Sequence, residues 1–473
     1  MAENTHKSSR PWRLRIGERR ALIFVGDLIM SLVALIIAIY FWAIGETDPL
    51  EFMVFVQSRL QTWFFFLPVL WLIFLFDSYS PDRSEDILKT TLSDGVSAAI
   101  GLVLYMTIYF GVEGSLPRRG VAAFLFAAGL LTMFWRLTYI RVFTGSRFMH
   151  RAVIVGAGLS GQALLKMIKD LNPQPFHLVG LVDDNPSLKD QTIEGYQVLG
   201  ASDCLLDVIE DEFISDVIVS ITGKMYPSTF GTLLKAQELG IEISRMPRTY
   251  EETLGRVPIH YLEADWILRS FVDEARVSAF YNIFKRLIDI LAGLVGALGL
   301  LVIGPFIALA ILIEDGRPII FSQKRAGKGG EEFTIYKFRS MMVNAETKGT
   351  PQLAKENDVR ATKVGRFIRK THLDETLQFI NVLRGDMSFV GPRPERPVFV
   401  ELYQEQIPFY RGRLLVKPGL TGWAQIHESY FATIEEVGVK LEYDLYYIKH
   451  RTIGMDIYIA LRTFATMVGL RGR

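Results

Sequence analysis

Hydrophobic residues in the N-terminal third of the chain are gathered into four long, mostly apolar runs. The runs start at Ala21, Thr62, Val96 and Val121. Each is close to the roughly 20 residues that an α-helix needs to cross a bilayer. The pattern therefore predicts a four-helix transmembrane bundle over residues 1–148. A buried helical bundle in a soluble protein is the alternative interpretation.

The charges beside these runs predict the orientation of the chain in the membrane. Six basic residues precede or begin the first run: Lys7, Arg10, Arg13, Arg15, Arg19 and Arg20. Because basic segments stay in the cytoplasm, we expect a cytoplasmic N-terminus, and four spans return the chain to that side. Arg118 and Arg119, in the predicted outer loop, oppose this orientation but are outnumbered. The first run is too long for a signal peptide and lacks a small-residue cleavage pattern.

Residues 149–275 alternate between strand and helix patterns, with a glycine-rich turn after the first strand. The glycines are Gly156, Gly158 and Gly161, and a second apolar strand ends at Asp183. In a dinucleotide-binding fold, such glycines let a pyrophosphate approach a helix N-terminus, and the acid binds the ribose. The pattern predicts a Rossmann-like parallel sheet domain in which these four residues bind a cofactor. The alternative is a turn that serves packing alone and binds no ligand.

A fifth apolar run extends from Leu287 to Ile313 and has basic residues on both flanks. These are Lys285 and Arg286 before the run, and Arg317, Lys324, Arg325 and Lys328 after it. Basic flanks stay in the cytoplasm, and Pro305 interrupts the backbone hydrogen bonds of a helix. We therefore expect a re-entrant membrane helix over about residues 284–313. An ordinary span with a proline kink is the alternative.

Composition limits the partners and the covalent chemistry of the chain. The 473 residues carry a net charge of +1 and are 50% hydrophobic, so we expect no nucleic acid or other polyanionic partner. The one cysteine, Cys204, excludes an intrachain disulfide and a cysteine-based metal cluster. The length allows about three domains, which we place at 1–148, 149–275 and 281–473.

The stretch THLDETLQFINVLRGDMSFVGPRPE places two carboxylates, Asp374 and Glu375, ahead of an apolar run. As a helix-start pattern, Thr371 would cap a helix and Asp374 would accept from a free backbone N–H. As an active site, the pair would lie beside a phosphate substrate that neighbouring, mostly basic residues bind. The candidates for this role are Lys337, Arg339, Arg369, Asp386 and Arg393. The alternatives are solvated surface charges or a site for anionic lipid headgroups, and Asp386 could hold an arginine or touch a nucleotide.

Several motifs in this region carry a resemblance to a known family. QKRAGKGGEEFTIYKFRSM, THLDETLQFINVLRGDMSFVGPRPE and KPGLTGWAQI resemble the bacterial sugar transferase family, the monotopic phosphoglycosyl transferases. With the preceding spans and Rossmann-like domain, the chain is similar to the large members, which are polyprenyl-phosphate hexose-1-phosphate transferases. The family usually has Pro where Leu377 and Val359 stand, and at Leu377 we expect only a small change of helix entry.

The resemblance implies a C-terminal α/β-rich catalytic domain on the re-entrant helix, together with a reaction. A UDP-hexose, with glucose or galactose as the sugar, gives its sugar-1-phosphate to undecaprenyl phosphate, and UMP leaves. Asp374 is implied as the nucleophile that forms an aspartyl-phosphosugar intermediate, and Glu375 as a Mg²⁺ ligand or a base toward the lipid phosphate. The implied setting is the cytoplasmic face of a bacterial inner membrane, where a homodimer initiates exopolysaccharide, capsule or O-antigen synthesis.

Two other functions compete with this interpretation. A membrane-anchored, NAD-dependent nucleotide-sugar dehydratase or epimerase would need a Tyr-x-x-x-Lys pair, and Tyr281 and Lys285 have that spacing. Bound NAD in the purified protein would support it. The other competitor is a non-catalytic regulator of polysaccharide assembly, which would release no UMP from any UDP-sugar.

Overall fold

The computed structural model describes residues 16–44, 62–75, parts of 79–102, 118–143, 149–171, 174–261, 279–343, 360–427 and 433–467. Within this description the chain forms two compact units, Met1–Met246 and Pro247–Arg473. The predicted basic cluster falls outside the described residues except for its last two members, Arg19 and Arg20.

Long apolar helices form the first part of the N-terminal unit. These are α1 (Ile16–Ile44) and α3 (Arg118–Phe143), and both are long and apolar enough to cross a membrane. Between them, a 3-10 turn (Thr62–Phe66) leads into α2 (Leu67–Phe74), which is shorter than the predicted second span. Apolar side chains of all these elements share one core. The predicted third run lies mostly outside the described residues, so the four-helix bundle stays a prediction.

Buried charges connect α1 to α3. The Arg136 guanidinium donates to Asp27 (Nη2–Oδ2 2.7 Å) and to Asp94 (Nη1–Oδ1 3.2 Å), and each of the three side chains is at most 4% exposed. Charges within an apolar membrane segment are costly unless they are paired. The cluster therefore fixes which faces of α1 and α3 meet. The sequence patterns did not reveal it, because Asp27 and Arg136 each stand alone within an apolar run and Asp94 lies just before the third run.

A six-stranded sheet forms the rest of the N-terminal unit. Its strands are β1 (Arg151–Val155), β2 (His177–Val182), β3 (Thr192–Ile193), β4 (Tyr196–Gly200), β5 (Asp216–Val219) and β6 (Glu242–Arg245). The connecting helices are α4 (Leu159–Asp170), α5 (Leu205–Asp211) and α6 (Pro227–Glu238). The order is β3-β4-β2-β1-β5-β6, and only the β3–β4 pair is antiparallel. Strands that helices cover on both faces are continuously apolar, and the predicted Rossmann-like parallel sheet is confirmed.

The segment that follows the sheet packs within the C-terminal unit. Helix α7 (Met246–Leu254) and the turn after it bury Tyr250, Val257 and Ile259 there. The Val257 N–H also donates to the Glu442 carbonyl (N–O 3.1 Å). The predicted domain limit at residue 275 stays a prediction, but these contacts assign residues 247–261 to the C-terminal unit rather than to the sheet.

Helix α8 (Ala279–Asp315) is one 37-residue helix that contains Pro305. The predicted helix over about 284–313 is therefore present and is longer at both ends. Polar contacts hold both of its ends to the C-terminal unit. Tyr281 donates to Asp456 near the start (OH–Oδ2 3.0 Å), and Glu314 accepts from two consecutive backbone N–H groups near the end. The re-entrant path through the membrane stays a prediction.

The other elements of the C-terminal unit form a mixed α/β body. A hairpin joins the antiparallel strands β7 (Ile320–Ala326) and β8 (Glu332–Phe338), while β9 (Ser388–Val390) and β10 (Gly419–Thr421) pair in parallel. The helices are α9 (Lys363–Lys370), α10 (Gln378–Arg384), α11 (Pro397–Gln406), α12 (Trp423–His427), α13 (Ile434–His450) and α14 (Ile453–Met467). Both α9 and α10 pack against α8, and the carboxylate pair lies between them in the chain.

Candidate active site

The two carboxylates occupy a 3-10 turn (Leu373–Glu375) between α9 and α10. The predicted cap at Thr371 is wrong, because that hydroxyl donates to the Phe367 carbonyl (Oγ1–O 2.9 Å) and so belongs to the last turn of α9. The residue that caps α9 is Thr362, whose side chain accepts from a backbone N–H three residues later.

A left-handed residue separates α9 from the 3-10 turn. His372 has φ of 56°, a conformation that costs a non-glycine residue energy and ends a right-handed helix. The chain therefore leaves the axis of α9 before it reaches the carboxylates. A 3-10 helix has three residues per turn, so the side chains of Asp374 and Glu375 point about 120° apart. The neighbours in the chain can therefore occupy different surroundings.

Glu375 is held by two cations. Its Oε1 accepts from Lys337 Nζ (2.6 Å) and from Arg393 Nη2 (2.5 Å), and its Oε2 accepts from Arg393 Nη1 (3.3 Å). Burial opposes ionisation of this carboxyl, but the charges of Arg393 and Lys337 outweigh it and hold the pKa of Glu375 well below its usual range. Glu375 is therefore an ionised, fully engaged carboxylate.

Asp374 is buried but has no such partner. It is 8% exposed, and no hydrogen bond or ion pair joins its side chain to any residue that the structure describes. Burial and the neighbouring negative charge of Glu375 raise its pKa to about 6, although Lys337, Arg393 and Arg369 act in the opposite direction. Two adjacent carboxylates with different environments can take different chemical roles. Asp374 is the one whose oxygens are available to react.

The structure brings some predicted residues to this pair and places others elsewhere. The positive charges of Lys337, Arg369 and Arg393 all lower the pKa of Asp374. Arg339 instead donates to the carbonyls of Asp315 and Gly316 at the end of α8, at 2.9 and 3.0 Å from its Nη2. Asp386 accepts from Asn381 (Nδ2–Oδ2 3.2 Å) just after α10. The phosphate-binding role of these two residues stays a prediction that no contact supports.

Comparisons with known proteins identify the region that contains this pair. A family model described as bacterial sugar transferase matches residues 280–469. The chain is 29% identical over 375 residues to a UDP-glucose:undecaprenyl-phosphate glucose-1-phosphate transferase of Xanthomonas campestris, which covers 75% of each protein. It is 38% identical over 189 residues to the protein of the same name from Caulobacter vibrioides, which covers 39% of this chain and 69% of that one. The chain belongs to the bacterial sugar transferase family.

A third relative matches about half of each chain. The chain is 40% identical over 231 residues to UDP-N-acetylgalactosamine-undecaprenyl-phosphate N-acetylgalactosaminephosphotransferase of Aeromonas hydrophila. This match covers 48% of the present chain and spans about half of that relative, 52% of its length. The relatives differ in the sugar that their names give.

A buried ionic network positions Arg393, one of the two cations that bind Glu375. Arg413 is 3% exposed, pairs with Asp444 (Nη2–Oδ2 2.8 Å) and donates to the carbonyl of Arg393 (2.9 Å). Lys440 pairs with Glu395, two residues after Arg393. This network fixes the backbone that carries the Arg393 side chain. The sequence patterns gave no role to Arg413, Lys440 or Asp444, because their partners lie in other stretches of the chain, although Glu395 ends the quoted stretch.

The predicted magnesium ligand does not fit Glu375. Both of its oxygens already accept from Lys337 and Arg393, so a cation placed there would meet two positive groups. Within the described residues, no cluster of three His, Cys, Asp or Glu side chains could hold a metal ion. Mg²⁺ often binds through one or two carboxylates and the phosphates of a substrate, and Asp374 is the carboxylate of the pair that has no partner among the described residues.

The glycine-rich turn in the N-terminal unit has its own explanation. A family model described as CoA-binding domain matches residues 74–244. Gly156 has φ of 107°, a backbone conformation that favours glycine. A Cβ on Gly161 would lie 2.1 Å from the Gly156 carbonyl oxygen, so packing requires a glycine at that position. Asp183 accepts from the Ala157 N–H (N–Oδ2 2.6 Å). Nothing lies within 4 Å of a Cβ added to Gly158, so packing does not require that glycine. Cofactor binding here stays a prediction.

Proposed function

We propose that the protein transfers hexose-1-phosphate from a UDP-hexose to undecaprenyl phosphate and releases UMP. The observation that carries the proposal is a buried Asp374 carboxylate without a partner among the described residues, next to a Glu375 that two cations neutralise. The names of the Xanthomonas and Caulobacter relatives support the same chemistry. A free carboxylate in a cationic surrounding suits a nucleophile toward phosphorus.

In the first step an Asp374 oxygen attacks the phosphorus that carries the sugar. The bond between that phosphorus and the bridging oxygen breaks, and the oxygen leaves with its electron pair as part of UMP. An acyl phosphate that bears the hexose then remains on Asp374. Glu375 is a poorer nucleophile, because its oxygens are held by Lys337 and Arg393.

In the second step an oxygen of undecaprenyl phosphate attacks the same phosphorus. The acyl phosphate bond breaks, the Asp374 carboxylate is regenerated, and a lipid diphosphohexose leaves. Both steps bring anionic phosphates to an anionic carboxylate. Lys337, Arg369 and Arg393 offset this repulsion, and they are already in place before substrate binds, which is how fixed charges lower a barrier. Mg²⁺ that enters with the diphosphate would screen the phosphate charge further.

The contacts of α8 support a re-entrant path and a membrane-bound catalytic unit. A helix that crossed the bilayer would place its two ends on opposite sides of about 30 Å of hydrocarbon. Here Tyr281 near the start and Glu314 near the end both contact the same C-terminal unit. We therefore place that unit on one face, the cytoplasmic face of a bacterial inner membrane, with α1 and α3 as spans of a multi-pass anchor.

The physiological setting is proposed from the resemblance. The donor sugar is glucose or galactose, and the product initiates exopolysaccharide, capsule or O-antigen synthesis by a homodimer. The dehydratase alternative is not favoured, because its residues are engaged elsewhere. Tyr281 donates to Asp456, and Lys285 donates to the Val390 carbonyl (2.8 Å) within the C-terminal unit.

The test is substitution of the nucleophile, Asp374→Asn. We expect UMP release to fall by at least about a thousandfold, because a neutral amide cannot form the acyl phosphate. Rapid acid quenching with a radiolabelled UDP-hexose should trap label on the peptide that contains Asp374 in the unmodified protein. Asp207→Asn, an exposed substitution in α5, is the matched control. Near-normal turnover of Asp374→Asn, or label on another residue, would overturn the assignment. A protein that releases no UMP from any UDP-sugar would point to the non-catalytic regulator.

A further inference from the structure

An apolar groove of about 410 Å³ lies between α8 and the start of α10. All of its lining residues are apolar: Ile288, Leu291, Ala292, Val295, Gly296, Phe379 and Phe389. One wall is therefore the membrane-type helix α8, and the other is built by two phenylalanines of the catalytic body. An apolar groove in contact with lipid is a place where a hydrocarbon chain can leave the bulk bilayer without losing apolar contact.

Glycines on α8 make the groove possible. A Cβ on Gly296 would lie 2.3 Å from the ring of Phe379, and a Cβ on Gly293 would lie 2.7 Å from Leu383. These positions let α10 approach closely. Phe379 and Phe389 stack with ring centroids 6.3 Å apart, so the wall that faces α8 is a continuous aromatic surface.

Polar contacts hold both walls in place. Asp289, buried at 3% exposure, accepts from the Ser388 hydroxyl and from the Phe389 N–H, both at 2.8 Å. Arg286 donates to two carbonyls of the last turn of α10 at 2.8 and 2.7 Å. Since these anchors fix Phe389 and α10 relative to α8, the groove is formed before any ligand arrives.

One end of the groove is close in the chain to the candidate nucleophile. Phe379, at its near end, follows Glu375 by four residues, which is about one helical turn. α8 and α10 run antiparallel here, since Gly296 meets Phe379 while Gly293 meets Leu383. Along α10, the lining residue nearest in the chain to the carboxylates is therefore Phe379, and from there the groove continues back along α8 toward Ile288.

We propose that this groove binds the isoprenoid chain of the polyprenyl phosphate acceptor, next to its phosphate. The inference rests on the proposed function and names the part of the acceptor that the site recognises. An acceptor phosphate must reach Asp374, where Lys337, Arg369 and Arg393 supply positive charge. A chain attached to that phosphate can then extend into the groove from the end at Phe379, four residues after Glu375 in the chain. A phospholipid acyl chain has no headgroup bound at Asp374 to hold it there.

The first experiment fills the groove in the full-length protein with Ala292→Trp. We expect the KM for undecaprenyl phosphate to rise about fivefold or more relative to the KM for UDP-hexose, because only the lipid uses the groove. The preference for undecaprenyl phosphate over an acceptor with a single isoprene unit should shrink by a similar factor. Leu298→Trp is the matched control, since Leu298 is 63% exposed on the same helix and does not line the groove.

A second measurement does not depend on turnover. We expect a photoreactive benzoylphenylalanine at Val295 to crosslink to undecaprenyl phosphate in vesicles, and excess undecaprenyl phosphate, but not phosphatidylglycerol, to reduce the crosslinking. Crosslinking to phospholipid alone, or an unchanged KM ratio in Ala292→Trp while the unmodified protein still releases UMP, would overturn the groove assignment only. Failure of the unmodified protein to release UMP would instead overturn the proposed function.

Discussion

Adjacent residues in this chain have opposite electrostatic surroundings. Asp374 and Glu375 share a peptide bond, yet Glu375 bonds to Lys337 and Arg393, while Asp374 has no partner among the described residues. The left-handed His372 and the 3-10 turn produce this difference, because they direct the two side chains about 120° apart. One carboxylate thus orders the cations, and the other can react.

This difference predicts the pH dependence of the first step. In the proposed mechanism the nucleophile is the ionised form of Asp374, whose pKa is raised to about 6, so ionisation is lost as the pH falls through that value. We expect the pre-steady-state rate of UMP release to be constant above pH 7 and about tenfold lower at pH 5. Glu375 does not titrate in this range, because its pKa is lowered.

Lys337→Met tests whether the midpoint of this pH profile belongs to Asp374. Lys337 lowers the pKa of Asp374, so its loss should move the midpoint of the rate profile to higher pH. Stopped-flow or rapid-quench measurements between pH 5 and pH 8 would show both effects. A flat profile in the unmodified protein, or an unmoved midpoint in Lys337→Met, would contradict the assignment of the midpoint to Asp374.

Motif spacing located most of the candidate site but not its local geometry. The stretch that contains Asp374, Glu375 and Arg393 was predicted as one site, and the structure brings these residues together. The predicted cap at Thr371 was wrong, because a Thr-x-x-Asp pattern contains no information on whether His372, the first of the two residues between them, is left-handed. Arg339 was grouped with Lys337 because both lie at the end of β8, yet its guanidinium contacts the end of α8.

At the scale of elements, α8 shows what hydrophobicity predicts and what it cannot. The apolar run and its basic flanks predicted a membrane helix near residues 284–313, and the helix is present. Its anchors, Asp289 and Glu314, were not predicted. Their partners lie 99 and about 50 residues away in the chain, and a local pattern does not encode such contacts.

These anchors change the expected result of straightening the helix. Pro305→Leu restores a backbone donor and should favour a continuous span, but Glu314 still ties the end of α8 to two backbone N–H groups. We expect Pro305→Leu alone to expose the C-terminus outside the cell in a small fraction of chains, and Pro305→Leu with Glu314→Gln to do so in a larger one.

Cysteine labelling can measure this topology directly. The chain has a single cysteine, so a Cys204→Ser background with one cysteine added after Arg473 gives a specific label. A membrane-impermeant maleimide should not label this cysteine in intact cells, while it should in opened cells. Val302→Leu, a neutral exchange on the same helix, is the control. Strong labelling in intact cells without Pro305→Leu would rule out the re-entrant helix.

At the scale of the whole molecule, the catalytic unit includes more chain than the motifs indicate. Tyr250, Val257 and Ile259 are buried in it, and the Tyr250 hydroxyl contacts Glu442, 192 residues later. The sequence patterns predicted a parallel sheet after residue 149, and the structure confirms that sheet. The same patterns could not show that residues 247–261 pack in the C-terminal unit, because a local pattern of apolar residues does not indicate which distant residues they contact.

Two fragments test this division. We expect a fragment from Pro247 to bind membranes and release UMP, and a fragment from Asn282 to do so with a melting temperature lower by about 5 °C or more. Burial of one large apolar side chain stabilises by about 1.5–3 kcal/mol. The shorter fragment loses Tyr250, Val257 and Ile259, and it also loses the Tyr281 hydrogen bond to Asp456. Differential scanning fluorimetry and UMP release, with the full chain as reference, measure both. Equal melting temperatures would assign residues 247–261 no role in the unit, and an inactive but folded Pro247 fragment would show that this unit is not sufficient.

The buried cluster of Arg136 with Asp27 and Asp94 also has a consequence for biogenesis. The ribosome delivers Asp27 109 residues before Arg136, so α1 emerges with a carboxylate whose cation has not yet been synthesised. An unpaired charge is costly in hydrocarbon, which favours retention of α1 beside the insertion machinery until α3 arrives. If α1 and α3 cross the membrane as proposed, we expect the order of synthesis to be part of the folding mechanism, with α1 released into the lipid only after α3 has been made.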